Sequence, residues 1–227
     1  MKPEDVCVVI PAYNEAKNIS RVVAAVKGLG YPVTVVDDGS SDGTATAAEW
    51  AGAQVVSYRP NQGKGYALRK GIEWFLDRTL AKAVIFMDSD GQHDPADLAH
   101  FLAALDNPEA DFVIGNRMHD PQGMPLIRRL TNRFMSGIIS FFSGENVPDT
   151  QCGYRAAKRE ALTRVQLETS RFEIESEMIL EAGRTGATVV SVPIRSVYEG
   201  GKSNIHPGRD TVRFFKFLGA YLVRRRG

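Results

Sequence analysis

Short runs of apolar, often β-branched residues alternate in the first half of the chain with segments whose apolar residues recur every three or four positions. The runs predict strands at Val6–Ile10, Val33–Asp37, Gln54–Ser57 and Ala83–Met87. Because these runs are apolar at nearly every position, they are typical of strands buried on both faces of a parallel sheet. The intervening segments predict amphipathic helices, as in the stripe Ile19, Val22, Val23 and Val26. This alternation predicts a doubly wound α/β domain with right-handed crossovers.

The second half of the chain follows a less regular pattern. Strands are predicted at Phe112–Ile114, Tyr154–Ala157 and Thr188–Val192. Helices are predicted at Pro95–Leu105, Leu126–Phe142 and Ile174–Ala182, with a last one after Asp210. Since no internal repeat, low-complexity tract or linker interrupts this pattern, we expect a single domain spanning residues 1–227.

Composition and charge narrow the class of protein. Hydrophobic residues make up 43% and charged residues 24% of the sequence, as in a globular protein with a substantial core. The formal net charge of +1 provides no overall attraction to nucleic acid, so no nucleic-acid partner is expected. The two cysteines, Cys7 and Cys152, lack the spacing of a metal site and are expected to be reduced.

Targeting and membrane-spanning signals are missing from the pattern. The apolar run Val6–Ile10 is too short for a signal peptide. No stretch reaches the roughly 18 apolar residues that a spanning helix needs. We therefore expect a cytoplasmic protein, and expect any membrane contact to be peripheral, at the inner face of the membrane.

Polar clusters follow each of the first four predicted strands. They are Pro11–Glu15, Asp37–Asp42, Asn61–Gly65 and Asp88–His93. In open α/β sheets, ligands bind beyond the carboxyl ends of the strands. The clusters therefore predict a ligand site at that edge of the sheet.

The sequence Asp88-Ser89-Asp90 indicates the most specific chemistry. Two carboxylates two residues apart at a strand end can share a hard divalent cation whose other ligands come from a diphosphate. Such an ion neutralises the charge that develops on a departing nucleoside diphosphate. Helix capping is the alternative role for these aspartates, but Asp94 just before Pro95 suits that role better.

Two of the other clusters leave alternatives open. Asp37 and Asp38 suit hydrogen bonds from a nucleobase or ribose. Alternatively, they belong to a turn in which Asp42 caps the next helix. Gly63-Lys64-Gly65 lacks the pattern of a P-loop, and no dinucleotide-binding glycine motif follows the first strand. Lys64 is therefore either a donor-phosphate contact or a flexible lysine in a turn.

Taken in order, the four clusters resemble the donor half of inverting glycosyltransferases of family 2, which have the GT-A fold. The second half resembles the polyprenyl-phosphate branch of that family. The segments that carry this second resemblance are Gly115–Arg117, Arg128-Arg129 with Asn132, Asp149–Arg155 and Val192–Ile194. The resemblance implies one α/β domain of GT-A (Rossmann-like) type, with a mostly parallel central sheet flanked by helices.

The resemblance also implies roles for individual residues. Contacts to the nucleoside would come from Pro11, Tyr13, Glu15, Asp37 and Asp38. The donor diphosphate and a Mg²⁺ or Mn²⁺ ion would be held by Asp88, Ser89, Asp90 and Gln92. The acceptor phosphate would be held by Arg117 and Arg128, together with Asn132. The implied reaction is transfer of a hexose, with inversion, from a UDP- or GDP-sugar to a polyprenyl phosphate.

The acceptor decides whether a general base is needed. A phosphate is already ionised near neutral pH, so positioning and charge stabilisation suffice. A hydroxyl acceptor would need a base, for which Asp149 or a glutamate of Glu173–Glu177 is the candidate. That acidic segment is otherwise a first helical turn favoured by the helix dipole. A non-catalytic nucleotide-sugar-binding module is a third alternative.

Three further segments bear on specificity and location. In Tyr198–Asn204, only Lys202 stands near the basic positions that mannosyl-phosphate enzymes carry, so mannose specificity is not implied. The aromatic and basic segment Asp210–Arg226 suits either an interfacial helix on an anionic membrane or a core-packing helix with a solvated tail. Helix Leu126–Phe142 suits either a lipid-facing lid or a dimer surface, and the oligomeric state is left open.

Overall fold

The computed structural model describes residues 1–121, 123–195 and 207–225. The segment Tyr198–Asn204, on which the sugar-specificity argument depended, lies outside these described residues. Seven strands form one sheet: β1 Val6–Ala12, β2 Val33–Asp37, β3 Gln54–Ser57, β4 Ala83–Phe86, β5 Phe112–Asn116, β6 Arg155–Lys158 and β7 Val189–Pro193. The helices of the described residues are α1 Ile19–Gly28, α2 Thr44–Trp50, α3 Lys64–Arg78, α4 Leu98–Leu105, α5 Leu126–Ser143, α6 Arg159–Leu162, α7 Ile174–Arg184 and α8 Pro207–Arg224.

The strand order is β3-β2-β1-β4-β6-β5-β7, and every neighbouring pair is parallel except the two that include β6. This confirms the prediction of a mostly parallel α/β sheet. The alternating pattern did not predict that β6 would run antiparallel between β4 and β5. In the register of the sheet, Ala156 of β6 lies beside Ile85 of β4 and Val113 of β5.

The central strands are buried as their composition predicts. Every residue of β1, β2 and β4 is buried, whereas β3 is exposed at Gln54 and Ser57 because it is the edge strand. Helix α3 packs closely on this sheet, since a Cβ added at Gly71 would lie 2.5 Å from Cγ1 of Val9. The core is therefore a sheet covered by helices on both faces.

The boundaries of several elements differ from those predicted. Pro11 and Ala12 belong to β1 rather than to the loop after it, because Pro11 pairs in register with Val36. The helix predicted from Pro95 begins as a 3-10 turn, Pro95–Asp97, before α4. Asp94 caps this turn, as predicted, by accepting a hydrogen bond from Ala96 N at 2.9 Å.

Asp42 stabilises the start of the next helix, as predicted, although Gly43 and not Asp42 is the N-cap residue of α2. Its carboxylate accepts hydrogen bonds from the backbone N–H of Thr44, the first residue of α2, and from Ala16 N, each at 3.1 Å. The same carboxylate therefore stabilises the start of α2 and ties it to the loop after β1.

Helix α8 packs on α7 and begins at Pro207, earlier than predicted. Phe214, Leu218 and Tyr221 are buried. The Tyr221 hydroxyl donates to Glu181 at 2.9 Å, and Arg224 donates to Glu177 at 3.0 Å. Of the two interpretations of this segment, core packing describes these four residues of α8. No helix among the described residues is long and apolar enough to cross a membrane.

Candidate active site

The four predicted polar clusters come together at the carboxyl edge of β3-β2-β1-β4, four parallel strands that are adjacent in the sheet. Side-chain hydrogen bonds connect the loops to one another. Asn14, in the left-handed backbone region (φ 54°), donates from its N–H to Ser40 Oγ at 2.9 Å. Its Oδ1 accepts from Ser41 N at 2.9 Å. Asparagine tolerates this backbone conformation, which is the only sequence signal for its role.

The residues predicted to contact the nucleoside lie on both sides of this junction. Pro11 is buried in β1, and Tyr13 is half exposed. Glu15 donates from its backbone N–H to Thr44 Oγ1 at 2.8 Å, and its carboxylate accepts from Asn18 at 2.9 Å. The contacts of these residues with a nucleoside stay a prediction.

Asp37 and Asp38, which the sequence grouped together, have different surroundings. Both oxygens of Asp38 are used within the protein, since they accept from Gln62 N, Gly63 N and the Asn61 side chain, each at 2.8 Å. Asp38 therefore fixes the loop that leads into α3. Asp37 accepts a longer bond from Ser40 N, at 3.2 Å, and lines a pocket. The other side chains around that pocket include Ser40, Thr44, Ser57, Tyr58 and Arg59.

Lys64 is neither a flexible turn lysine nor an isolated cation. It is the first residue of α3, and its ammonium lies 2.6 Å from Oδ1 of Asp88 and 2.7 Å from Oε1 of Glu175. Burial alone would raise the pKa of Asp88, but the charge and hydrogen bond of Lys64, together with His93 and Arg117, outweigh it and lower that pKa well below the ordinary value. The two carboxylates likewise raise the pKa of Lys64 against the effect of burial. The sequence predicted Glu175 either as part of an acidic helical turn or as one of the candidate bases in Glu173–Glu177, and gave no indication of its pairing with Lys64.

The Asp88 carboxylate is also positioned by packing. A Cβ added at Gly153 would lie 2.5 Å from Oδ2 of Asp88, so only glycine leaves room for this carboxylate. The Asp88 backbone N–H donates to Nδ1 of His93 at 3.3 Å, and the imidazole stacks on Tyr154 with ring centroids 4.8 Å apart. Burial lowers the pKa of His93 to about 4, so the imidazole is neutral at pH 7. Sequence reasoning did not identify Gly153 or Tyr154.

Asp90 is half-buried, like Asp88. Its carboxylate accepts from Gln92 N at 2.9 Å, while Ser89 between the two aspartates is buried. Burial and then the charge of Asp88 raise the pKa of Asp90.

The oxygen ligands of this loop suit Mg²⁺ or Mn²⁺. Within residues 1–121, 123–195 and 207–225, no group of three or more histidine, cysteine, aspartate or glutamate side chains could hold a metal ion. A cation shared by Asp88 and Asp90 would therefore need further oxygen ligands from the donor diphosphate.

Arg117 and Asp149 form a buried ion pair. The Asp149 side chain is fully buried and accepts from Nε of Arg117 at 2.7 Å, from its Nη2 at 2.9 Å and from its backbone N–H at 3.2 Å. Arg117 lies near enough to Asp88 that its charge also helps to lower the pKa of that carboxyl. The Asp149 carboxylate is thus committed to Arg117, which makes it a poor general base.

Helix α5 presents the other predicted acceptor residues. Arg128 and Asn132 lie four residues apart on one face of the helix, where Arg128 is half-buried and Asn132 is buried. In the described part of the chain, Nδ2 of Asn132 has no hydrogen-bond partner. Ser136, one turn further on, bonds with Thr150 through their hydroxyls at 3.1 Å and through Thr150 N at 2.9 Å. This links α5 to the segment that carries Asp149.

Arg155 closes that segment and has a structural role. It is almost fully buried and donates to the carbonyl oxygens of Thr150, Cys152 and Glu175. These bonds hold the start of α7, and with it the Glu175 carboxylate, next to Lys64.

The mostly parallel sheet flanked by helices is the GT-A fold. Among solved structures, the chain is similar to glucosyl-3-phosphoglycerate synthase from Mycobacterium tuberculosis in complex with Mn²⁺, UDP and glucosyl-3-phosphoglycerate. The TM-score is 0.70 at 23% identity, over 96% of this chain and 79% of that one. At this identity, the likeness shows the fold alone.

The sequence comparison identifies the family. Residues 7–165 match the profile of "Glycosyl transferase family 2", and the chain belongs to that family. Glycosyltransferase AglJ of Haloferax volcanii is 36% identical, over 92% of this chain and 69% of its own length. The UDP-N-acetylglucosamine–dolichyl-phosphate N-acetylglucosaminyltransferase of Methanococcus voltae is 30% identical, over 96% of this chain and 95% of its own length. The polyprenol monophosphomannose synthase of Mycolicibacterium smegmatis is 34% identical, over 82% and 75%. These names confirm the resemblance to the polyprenyl-phosphate branch.

Proposed function

We propose that this protein transfers a hexose from a UDP- or GDP-sugar to a polyprenyl phosphate, inverting the anomeric carbon, with Mg²⁺ or Mn²⁺ as cofactor. The relatives from Methanococcus voltae and Mycolicibacterium smegmatis are named for transfer to a dolichyl or polyprenol phosphate, and support this acceptor class. They carry different sugars, N-acetylglucosamine and mannose, so they leave the sugar of this chain to experiment.

The observation that carries the proposal is the commitment of the candidate general bases to other partners. Asp149 is paired with Arg117, Glu175 is paired with Lys64, and Glu177 accepts from Thr169 and Arg224. A hydroxyl acceptor needs a base close to it, whereas a phosphate acceptor is already a nucleophile at neutral pH. This favours the phosphate acceptor, and the hydroxyl alternative depends on Glu173, a half-buried residue at the start of α7.

In the proposed reaction, the edge of β1, β2 and β4 binds the donor. Pro11, Tyr13, Glu15, Asp37 and Asp38 surround the nucleoside. Asp88, Asp90 and Gln92 would hold the metal ion, and Ser89 and Lys64 would lie beside the diphosphate. When bound, the ion would neutralise negative charge on the leaving nucleoside diphosphate.

The acceptor phosphate would bind on the α5 side of the site. Arg128 would donate its guanidinium to the phosphate oxygens, and the Asn132 amide, one turn along, has a donor to spare. Arg117 would add positive charge from its buried pair with Asp149. The role of these residues would be to align the phosphate oxygen with the anomeric carbon.

The outer surface of α5 suits the lipid part of this acceptor. It exposes Leu126, Ile127, Leu130, Phe134 and Phe141. Phe134 lies beside the exposed Phe215 of α8, with ring centroids 6.5 Å apart, so the two helices form one apolar face. An amphipathic face of this kind with arginines along it is typical of a helix lying on an anionic membrane. We therefore propose a peripheral location at the inner face of the membrane, where polyprenyl phosphate is accessible.

The test is to incubate the protein with Mg²⁺ or Mn²⁺, a short-chain polyprenyl phosphate and a panel of UDP- and GDP-sugars. Release of nucleoside diphosphate and formation of glycolipid are followed by mass spectrometry. We expect metal-dependent glycolipid of inverted anomeric configuration, and its loss in Asp90→Asn. Parallel reactions contain soluble sugars and phosphoglycerate in place of the lipid.

Other outcomes would support the alternatives. Transfer to a soluble hydroxyl acceptor but not to the lipid would contradict the proposal, and abolition of that transfer by Glu173→Gln would identify the base. Donor binding with neither transfer nor donor hydrolysis would favour a non-catalytic nucleotide-sugar-binding module.

A further inference from the structure

The Lys64 ammonium lies against one carboxylate oxygen of Asp88, the first aspartate of the pair that would bind the metal ion of the proposed function. It lies 2.6 Å from Oδ1 of Asp88 and 2.7 Å from Oε1 of Glu175. The side chains of Lys64 and Glu175 are 18% and 6% exposed, so water screens this pair of contacts weakly. A divalent cation that uses both oxygens of Asp88 must therefore compete with a cation built into the protein.

The backbone of Lys64 is fixed on both sides. A Cβ at Gly63 would lie 2.6 Å from the carbonyl oxygen of Ser170, and one at Gly65 would lie 2.5 Å from that of Arg171. Tyr66 N donates to Ser170 O at 3.1 Å. Displacement of the ammonium from Asp88 must therefore occur by rotation of the Lys64 side chain, without movement of the loop.

Glu175 is placed to keep the ammonium when it leaves Asp88. It already shares the Lys64 charge, and Arg155, which donates to its backbone oxygen at 2.7 Å, fixes its position. Without Glu175, the ammonium would have Asp88 as its one carboxylate partner within the described part of the chain. The two carboxylates thus divide one cation between them.

We propose that Lys64 is a resident counter-ion of Asp88 that a divalent metal ion displaces, and that Glu175 receives the displaced ammonium. This inference rests on the metal site of the proposed function. Its consequence is that the site binds metal weakly until the donor arrives. The donor diphosphate then supplies further ligands for the metal and negative charge for Lys64.

The test measures Mn²⁺ binding to the full chain without donor, by electron paramagnetic resonance of free Mn²⁺. We expect Lys64→Met to bind Mn²⁺ more tightly than the wild type, by on the order of tenfold. Glu175→Gln should weaken binding, because Lys64 then pairs with Asp88 alone. Lys70→Met removes an exposed lysine of the same helix that pairs with Glu73, and should change nothing.

A double variant separates displacement from a general effect of charge. If Glu175 acts through Lys64, Glu175→Gln should have little effect in the Lys64→Met background. Equal or weaker Mn²⁺ binding by Lys64→Met, or the same loss from Glu175→Gln with and without Lys64, would overturn the inference. Should Lys64→Met not fold, Glu175→Gln still decides, since unchanged or tighter Mn²⁺ binding by that variant contradicts the proposal.

The binding assay is independent of the proposed reaction. Tighter Mn²⁺ binding by Lys64→Met together with absence of sugar transfer would keep the counter-ion role and reject the transferase. Glycolipid formation by the wild type, with no gain in Mn²⁺ binding by Lys64→Met, would keep the transferase and reject the counter-ion role.

Discussion

At the carboxyl edge of β1 to β4, polar side chains are paired with one another, whereas along α5 and α8 apolar side chains face outward. The Asp38 carboxylate accepts three hydrogen bonds from one loop, and Asp88 shares the Lys64 ammonium with Glu175. By contrast, Leu130 and Phe134 on α5 are more than half exposed. The polar edge is held in shape by the protein itself, while the α5 face leaves apolar side chains exposed.

This difference indicates how each of the two regions would select its ligand. Paired buried groups cannot rearrange cheaply, because an unpaired buried donor costs about 1–3 kcal/mol. The polar edge is therefore preorganised for one geometry of charge. Contact through an exposed apolar face is non-directional, so it would suit a fluid partner such as the proposed membrane surface, and recognition of the phosphate is proposed for Arg128 and Asn132 beside it.

The largest effect is expected from removing the Asp38 carboxylate, which acts as a clamp on the loop Asn61–Gly63. Asp38→Ala leaves Asn61, Gln62 N and Gly63 N without their acceptor, so sugar transfer should fall by on the order of a hundredfold. The free energy of unfolding should fall by about 2–4 kcal/mol, as measured by urea denaturation. Asp38→Asn keeps one acceptor oxygen and should lose less of both. Full activity in Asp38→Ala would show that the clamp does not position the loop.

A smaller effect is expected from adding a side chain next to the Asp88 carboxylate. In Gly153→Ala, the new Cβ would lie 2.5 Å from Oδ2 of Asp88, so the carboxylate must move. We expect transfer to fall by about tenfold to a hundredfold, with unfolding changed by about 1 kcal/mol. Gly28→Ala is the matched control, because a Cβ there meets nothing within 4 Å. Equal activity of the two variants would contradict the proposed position of Asp88.

Substitutions on the exposed face of α5 should reduce transfer to a lipid acceptor without changing the stability of the protein. The double variant Leu130→Gln, Phe134→Gln should reduce glycolipid formation on vesicles by about fivefold to tenfold, since apolar burial in the membrane is lost. Its unfolding midpoint should stay within the error of the wild type. Trp50→Gln with Leu80→Gln, at two exposed positions away from α5, is the control. If both double variants lose vesicle binding equally, α5 is not the contact surface.

The smallest effect concerns how α8 is attached to α7. Although burial opposes it, hydrogen bonds from Arg184, Gln166 N and Tyr221 lower the pKa of Glu181. A lowered pKa in the folded state means that this stabilisation is present at neutral pH and is lost as the pH falls through that pKa. Glu181→Gln should therefore be about 1 kcal/mol less stable at pH 7. The difference in stability between the wild type and Glu181→Gln should narrow below pH of about 4. A gap that is constant from pH 7 to pH 3 would contradict the charge-based contribution.

Much of the donor half could be predicted because its signals are local. Buried strands show as short apolar runs, and the loops that follow parallel strands must meet at one edge. The pairing of Asp88 with Lys64 and Glu175 could not be predicted in this way, because Glu175 lies 111 residues beyond Lys64 in the chain. The antiparallel insertion of β6 is likewise a property of pairing between distant segments, which periodicity does not encode.

The sequence by itself determined the α/β class, the four loops at the sheet edge, the roles of Asp42 and Asp94 at the starts of helices, and the membership of family 2. Each of these depends on spacing within a short segment or on a motif. Only the tertiary structure decided that Asp38 is a clamp, that Arg117 is bound to Asp149 and that α8 packs through Arg224. A charged side chain takes the partner that folding places beside it, and the energy of a buried pair depends on distance and burial rather than on position in the chain.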